Sequence, residues 1–459
     1  MRALARILAV LALLLVPRPA LAWDEVTHGH ITERAMEQVR DPQLKAFLHA
    51  HRDAVLSGSW FPDWGHAIKP HGEAVHAQYL DYAQADLARP DVRAQPDYPD
   101  RLAHQFGVYA HVVEDRWLDA TLKKHAHEIG EPRRDDMENG LILIAGQGWL
   151  KRDFKPYVPK AELARIYAQA NYFGDARLNA ATLDPVMTRS MDGIAALEQQ
   201  YKLLSFLTAD YIRWKFPWGA ANLETAPGGL ESNARAVAAG WEALWAAERG
   251  RPAPFFVATL PAQGGTLPSA DPHSPYGRIT IATRTRFDTR RLTSADITLV
   301  DAAGQATPVR VWPYIDEPGH DIDLAFQIET LRPLAPGGAY HLTIRPGAYV
   351  PAKAGAAAPL DLDFQVPQGA VADAGRPPQP RPWVLGVFLF VLLGGLGGLL
   401  FGLADVLRLV FAAKAPRDPW WIWLVAVPTK AAGLSLFTLG LWLLATDGAV
   451  AIEYLRLHH

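Results

Sequence analysis

Along residues 23–249 apolar side chains recur three and four positions apart, as in Ala161–Ala170 and Ala234–Ala247, which predicts a succession of helices. From Pro252 to Val366 the period shortens to two. Runs such as Arg278-Ile279-Thr280-Ile281-Ala282-Thr283 and Tyr340-His341-Leu342-Thr343-Ile344 alternate between Gly and Pro turns, which predicts an all-β sandwich of about a hundred residues. A third pattern has no period at all. The 22 residues from Trp383 to Ala404 carry no charge, long enough for a helix to cross a hydrocarbon layer of about 30 Å. A second apolar stretch, Trp420 to Thr446, is interrupted by Pro428 and Lys430, which moves the start of its span to about Thr429.

The ends complete this organisation. Arg2 and Arg6 precede the apolar run Ile7–Val16 and the small-residue site Ala20-Leu21-Ala22, the pattern of an export leader, so the mature chain is expected to begin at Trp23. Arg408, Lys414 and Arg417 lie between the two apolar stretches, and positive loops stay cytoplasmic. The expected order is a signal peptide over 1–22, an all-α domain over 23–249 and a β-sandwich over 252–366. A stiff Pro-rich linker over 367–382 and a two-helix transmembrane hairpin over 383–404 and 429–451 follow. This places the body in the periplasm, anchored to the inner membrane of a Gram-negative-type bacterium.

Composition narrows the chemistry. Cysteine is absent, which removes disulfides, thiolate metal sites and Cys nucleophiles together. The formal net charge of −3 excludes a broad basic face, so no duplex nucleic acid is expected as a partner. Histidine is unevenly spread: 11 of the 16 fall between His28 and His127. Without thiolates, His, Asp and Glu are the side chains left to hold a metal, and imidazole is the commonest zinc ligand among them. In His111-Val112-Val113-Glu114-Asp115 an imidazole and a carboxylate stand one turn apart on one helix face, and Asp119 continues that face by another turn.

The order Trp23, Thr27-His28, Phe61-Pro62-Asp63, His76 and His111-x-x-x-Asp115 resembles the zinc-dependent phospholipase C family, and more closely the catalytic domain of glycosylphosphatidylinositol-specific phospholipase D. The resemblance covers roughly Trp23 to Trp214; the single-strand-specific zinc nucleases share its helical fold and a similar ligand order. It implies a cleft with two or three zinc ions. Trp23, through its terminal amine, and His28 would share one ion with Asp115. Asp63, His76 and His111 would hold its neighbour, with Asp115 bridging. His30 competes for the place of His28, and His71 for that of His76. A third ion would take Asp119 where the family has a histidine, followed either by the pair His127 and Glu131 or by Glu131 and Asp135, with Asp136 and Glu138 in reserve. The phrase Leu331-Arg332-Pro333-Leu334-Ala335-Pro336-Gly337-Gly338-Ala339-Tyr340 resembles the penultimate corner of bacterial immunoglobulin-like domains, which makes the expected sandwich immunoglobulin-like.

Clustered divalent cations clamp a phosphodiester and activate water. The expected activity is therefore hydrolysis of a phospholipid or lipid-linked phosphodiester, phospholipase C type, with Asp63 both touching metal and orienting the attacking water. The anchor favours a lipid substrate. A zinc nuclease-like enzyme and an inert metal-binding scaffold are the alternatives. Trp60, Phe61 and Trp64 suit a substrate-cleft wall and a packed core equally. The sandwich is expected to act as a spacer or partner contact.

Overall fold

The computed structural model describes residues 25–68, 78–131, 216–313, 322–345 and 359–369, with isolated positions between 155 and 213. Helices come first: α1 Glu25–Gln38, α2 Pro42–Ala50, α3 Arg52–Trp60, a 3-10 segment Phe61–Ile68, α4 Tyr79–Leu87, α5 Pro90–Arg93 and α6 Tyr98–Leu118. A π turn Asp119–Lys123, α7 Lys124–Glu128, α8 Pro217–Asn222 and α9 Leu230–Glu248 follow. Local chemistry sets several starts. Asp41 accepts from the backbone N–H of Gln43 (2.9 Å) and Leu44 (3.1 Å) ahead of Pro42, and prolines also open α5, α6 and α8, where a missing N–H costs nothing.

Helix α6 is the axis of the unit, buried on all sides from Arg101 to Leu118. It crosses α3 at backbone contact. A Cβ on Gly58 would lie 2.0 Å from the carbonyl oxygen of His104, and one on Gly107 2.0 Å from that of Val55, so any larger residue at either position forces the helices apart. On another side α9 packs against α6: the Tyr109 ring fills the space where Gly240 has no side chain, and Trp241 Nε1 donates to the Phe106 carbonyl at 2.7 Å.

Strands follow: β1 Phe256–Leu260, β2 Gly265–Thr266, β3 Ile279–Asp288, β4 Ile297–Asp301, β5 Val309–Pro313, β6 Ile322–Thr330, β7 Ala339–Ile344 and β8 Leu360–Gln365. They form two sheets, ordered β1-β3-β6-β5 and β2-β8-β7-β4, antiparallel except for β2 with β8. One apolar cluster joins Ile279, Ile281, Phe326 and Ile328 of the first sheet to Leu299, Leu342, Ile344, Leu362 and Phe364 of the second. The other face of the first sheet is not left to solvent. Tyr276, Ala282 and Leu324 belong to the same apolar cluster as the helices.

Three polar contacts reinforce that seam along α6. Tyr109 Oη donates to the Thr283 carbonyl (2.9 Å), Arg116 Nε to Asp323 Oδ2 (2.7 Å), and Gln327 Nε2 to the Ala120 carbonyl just beyond the helix (3.2 Å). Arg116 and Asp323 are both buried, so each neutralises a charge that neither could carry alone in that interior.

These findings correct the expected fold class. The chain is a mixed helix-and-sheet protein in which helices and both sheets lie in one compact unit, Leu21–Pro377, rather than an all-α domain followed by a separate sandwich and a membrane hairpin. The sheets were read as independent because alternation in sequence shows that one face of a strand is buried, not that a helix covers the other. Among the described residues no helix is long and apolar enough to cross a membrane. The two stretches taken for the hairpin, 383–404 and 429–451, lie outside the described residues, as does the leader 1–22. The hairpin and the inner-membrane placement are expectations from hydropathy, the positive loop and the leader, patterns that measure transfer preference and not what packs against a segment, and the fold does not support them.

Replacing Asp323 by Ala removes the acceptor of a buried guanidinium. The expected loss is about 3 kcal/mol of unfolding free energy, measurable by denaturant titration. Restoring the site as an apolar pair, Arg116→Met with Asp323→Leu, should recover most of it. An unchanged midpoint in Asp323→Ala would show that this ion pair contributes nothing to stability.

Candidate metal centre

Three elements deliver the polar side chains that meet beside α6. Helix α1 brings His28 and, one turn later, Thr32; the 3-10 segment after α3 brings Asp63; α6 itself brings His111, Glu114 and Asp115. None of these six is more than 3 % exposed. His28 Nε2 lies 3.4 Å from Asp115 Oδ1, and His111 Nε2 lies 3.4 Å from Asp115 Oδ2 and 3.8 Å from Asp63 Oδ1. Asp115 thus turns one oxygen to each imidazole. The two rings are themselves 4.0 Å apart between centroids. Among the described residues, His28, His111 and Asp115 form the one group whose ligand atoms all fall within 4.8 Å of one another.

Both imidazoles are oriented from behind. His111 Nδ1 is 2.8 Å from the Ser59 carbonyl oxygen. A carbonyl only accepts, so Nδ1 carries the hydrogen and Nε2 is the atom turned toward the carboxylates. Behind His28, Nδ1 lies 2.6 Å from Glu114 Oε2, while the other Glu114 oxygen accepts from Thr32 Oγ1 at 3.1 Å.

The electrostatics are unbalanced. Three buried carboxylates, Asp63, Glu114 and Asp115, face two imidazoles. Burial holds Glu114 well above the ordinary carboxylate range, with the Asp115 charge adding to the effect and His111 and Thr32 opposing it. For His111 burial works against the charged form, but Asp115, the Ser59 carbonyl and Glu114 outweigh it and raise the imidazole above its usual value. The centre attracts positive charge, and a divalent cation would relieve the repulsion that a proton on His111 relieves in part.

The donor set fits such a cation. Zinc bonds to imidazole nitrogen and carboxylate oxygen of about 2.0–2.1 Å place tetrahedral neighbours about 3.3–3.4 Å apart, which matches the separation of Asp115 from each histidine. Nitrogen and oxygen donors of this mixture suit zinc better than a hard ion such as magnesium.

The remaining sequence candidates part ways here. Trp23 and His76 lie outside the described residues, as do His71, Asp135, Asp136 and Glu138. Asp119, in the π turn, pairs with Lys123 Nζ at 3.1 Å, and His127 is exposed, with Nδ1 3.3 Å from the Glu131 carbonyl. Glu131 faces elsewhere. Its buried carboxylate caps α8, accepting from the N–H of Trp218 (2.5 Å) and Gly219 (3.1 Å). The structure therefore does not bring Asp119, His127 and Glu131 to His28, His111 and Asp115, because each is engaged where it stands. Trp60, Phe61 and Trp64 are buried core residues, Phe61 packing against Tyr79 and His104.

Sequence reasoning passed over Glu114, Thr32 and Ser59. Thr32 stands one turn beyond His28, a spacing visible in sequence; that Glu114 meets both across more than 80 positions is not.

No protein-family model matches the chain, and no curated protein does. Among solved structures it is similar to a crystal structure of the S-layer protein SbsC at 9 % identity and a TM-score of 0.20, over 71 % of this chain and 46 % of that one. The structure of surface layer protein SbsC domains 1–6 gives 8 % identity and a TM-score of 0.20 over the same shares. The N-terminal part of the same bacterial protein gives 10 % and 0.19, over 71 % and 79 %. This chain spans about half the length of the first two, and likeness at that level supports no conclusion about fold or function.

The cap on α8 is testable through pH. Burial raises Glu131 from 4.5 to about 7, against the two backbone donors that lower it. The folded chain thus binds that proton more tightly than the unfolded one, so the stabilising contribution is complete below the unfolded value and is lost as pH rises through about 7. Glu131→Gln should abolish this slope, worth on the order of 3 kcal/mol at most. The same slope in that variant would assign the titration to another group.

Proposed function

We propose that the chain is a zinc-dependent phosphodiesterase whose centre would hold two cations, with Asp115 a ligand to each. The observation that carries this reading is the placement of His28 Nε2 and His111 Nε2 on opposite oxygens of one buried carboxylate at 3.4 Å each. Two ions are proposed and not three, since Asp119, His127 and Glu131 are engaged elsewhere. Trp23 and His76, which complete the two ligand sets in the phospholipase C resemblance, retain those assignments as part of the proposal.

Bound divalent cations would supply Lewis acidity toward the phosphoryl oxygens and the attacking water. The residues do the rest. Asp63, whose Oδ1 stands 3.8 Å from His111 Nε2, is placed to hold and orient that water by accepting its hydrogen. As water adds to phosphorus its proton passes to Asp63, the P–O bond to the leaving group breaks, and the departing alkoxide takes up that proton to leave as the alcohol. His28 and His111, each fixed through Nδ1, keep the geometry constant through the reaction. The phospholipid as substrate class follows from the resemblance of the ligand order to the phospholipase C family.

The test is zinc content per chain after gel filtration, with hydrolysis of phosphatidylcholine vesicles and of single-stranded DNA compared in wild type and Asp115→Asn. About two zinc ions are expected in wild type. The variant should lose at least one ion and at least about a hundredfold in rate, with head-group release exceeding nucleotide release in wild type. Faster cleavage of the DNA would transfer the reading to a nuclease. A folded wild-type chain that retains no zinc would end it.

A further inference from the structure

We infer that Glu114 is a positioning residue for His28, and that it makes the two cation positions chemically unequal. The inference rests on the metal-centre reading and deepens it.

The two histidines present the same atom to Asp115, but they are backed differently. Behind His111 stands a neutral carbonyl, Ser59 O, at 2.8 Å; behind His28 stands a carboxylate at 2.6 Å. With Glu114 Oε2 as acceptor, His28 Nδ1 carries the hydrogen, and Nε2 keeps its lone pair toward Asp115 Oδ1. A carboxylate behind a ligating imidazole raises the basicity of the ligand nitrogen and locks the ring more firmly than a neutral acceptor does. Glu114 is itself held. Its second oxygen accepts from Thr32 Oγ1 at 3.1 Å, and Thr32 lies one turn beyond His28, so the side chain that orients the ring is gripped by the helix that carries the ring.

A third buried carboxylate beside Asp63 and Asp115 adds to the crowding of acidic groups that a cation would relieve. Of the two histidines it hydrogen-bonds to His28 and reaches His111 only through its charge. Its larger effect would therefore fall on the cation that His28 would hold.

Glu114→Gln removes the charge and keeps the shape; Thr32→Val removes only the hydroxyl that holds the carboxylate. Zinc affinity is read by titration against a competing chelator, and the d–d absorption of the cobalt-substituted protein reports the ligand environment of each ion. In Glu114→Gln one of the two ions should weaken by about 10- to 100-fold, with a changed cobalt spectrum, while the second weakens by a clearly smaller factor. Thr32→Val should weaken the same ion by a smaller factor, which retains a decision if Glu114→Gln fails to fold. Wild-type affinity for both ions in a folded variant, or equal weakening of both, overturns the inference and leaves the metal centre standing. A wild-type chain that binds neither ion removes the metal-centre reading itself.

Discussion

The separation of α3 and α6 is the constraint on which the centre depends. Two glycines, Gly58 and Gly107, let the backbones touch, and the consequences are local and specific. Ser59, the residue after Gly58, turns its carbonyl to His111, one turn beyond Gly107 on the other helix. The 3-10 segment that leaves the end of α3 then carries Asp63 to the same ring. A side chain at the crossing would add more than an ångström to the gap. Functional constellations tolerate about half of that, so the hydrogen-bonded ring and its facing carboxylate would be lost together.

Helix α6 lies inside the protein although it carries His104, Gln105, His111, Glu114, Asp115 and Arg116 among its buried residues. Buried polar groups persist where other elements meet them. Ser59 meets His111, His28 and Thr32 meet Glu114, and Asp323 meets Arg116. His104 is the exception in kind: it sits among Phe61, Tyr79 and Tyr157, and burial lowers it to about 3, so it stays neutral and packs as an aromatic ring. Consecutive positions Glu114, Asp115 and Arg116 thus address a helix, a candidate cation site and a sheet. One turn of helix joins the chemistry to the β part of the molecule.

This changes the meaning of the sheets. A spacer would touch the helices at a linker, whereas the first sheet touches α6 at Tyr109 and Arg116, on either side of His111 and Asp115. Strands β3 and β6 are buried on both faces because they serve two cores, the sandwich interior and the helical cluster. The sheets therefore act as part of the wall that holds the ligand-bearing helix in place.

What sequence alone determined is whatever depends on a residue's near neighbours. The period of three to four that becomes two near Pro252 marks the change from helix to strand, because side-chain direction follows backbone geometry within a few residues. The shared face of His111 and Asp115 follows from the helical repeat, and the start of α2 from Asp41 and Pro42. Tertiary structure decided the rest. His127-x-x-x-Glu131 has ligand spacing, yet Glu131 turns to the N–H groups of α8, 87 positions away, because an unpaired helix N-terminus in the interior attracts the nearest carboxylate. Glu114 drew no notice beside Asp115, yet it is the residue that meets His28. Hydropathy suggested a membrane anchor and a tethered substrate; it measures how a segment partitions, and partitioning does not name a neighbour. Contacts between distant segments are set by which surfaces pack at which angle, and a hydrogen atom at Gly58 and another at Gly107 set that angle here.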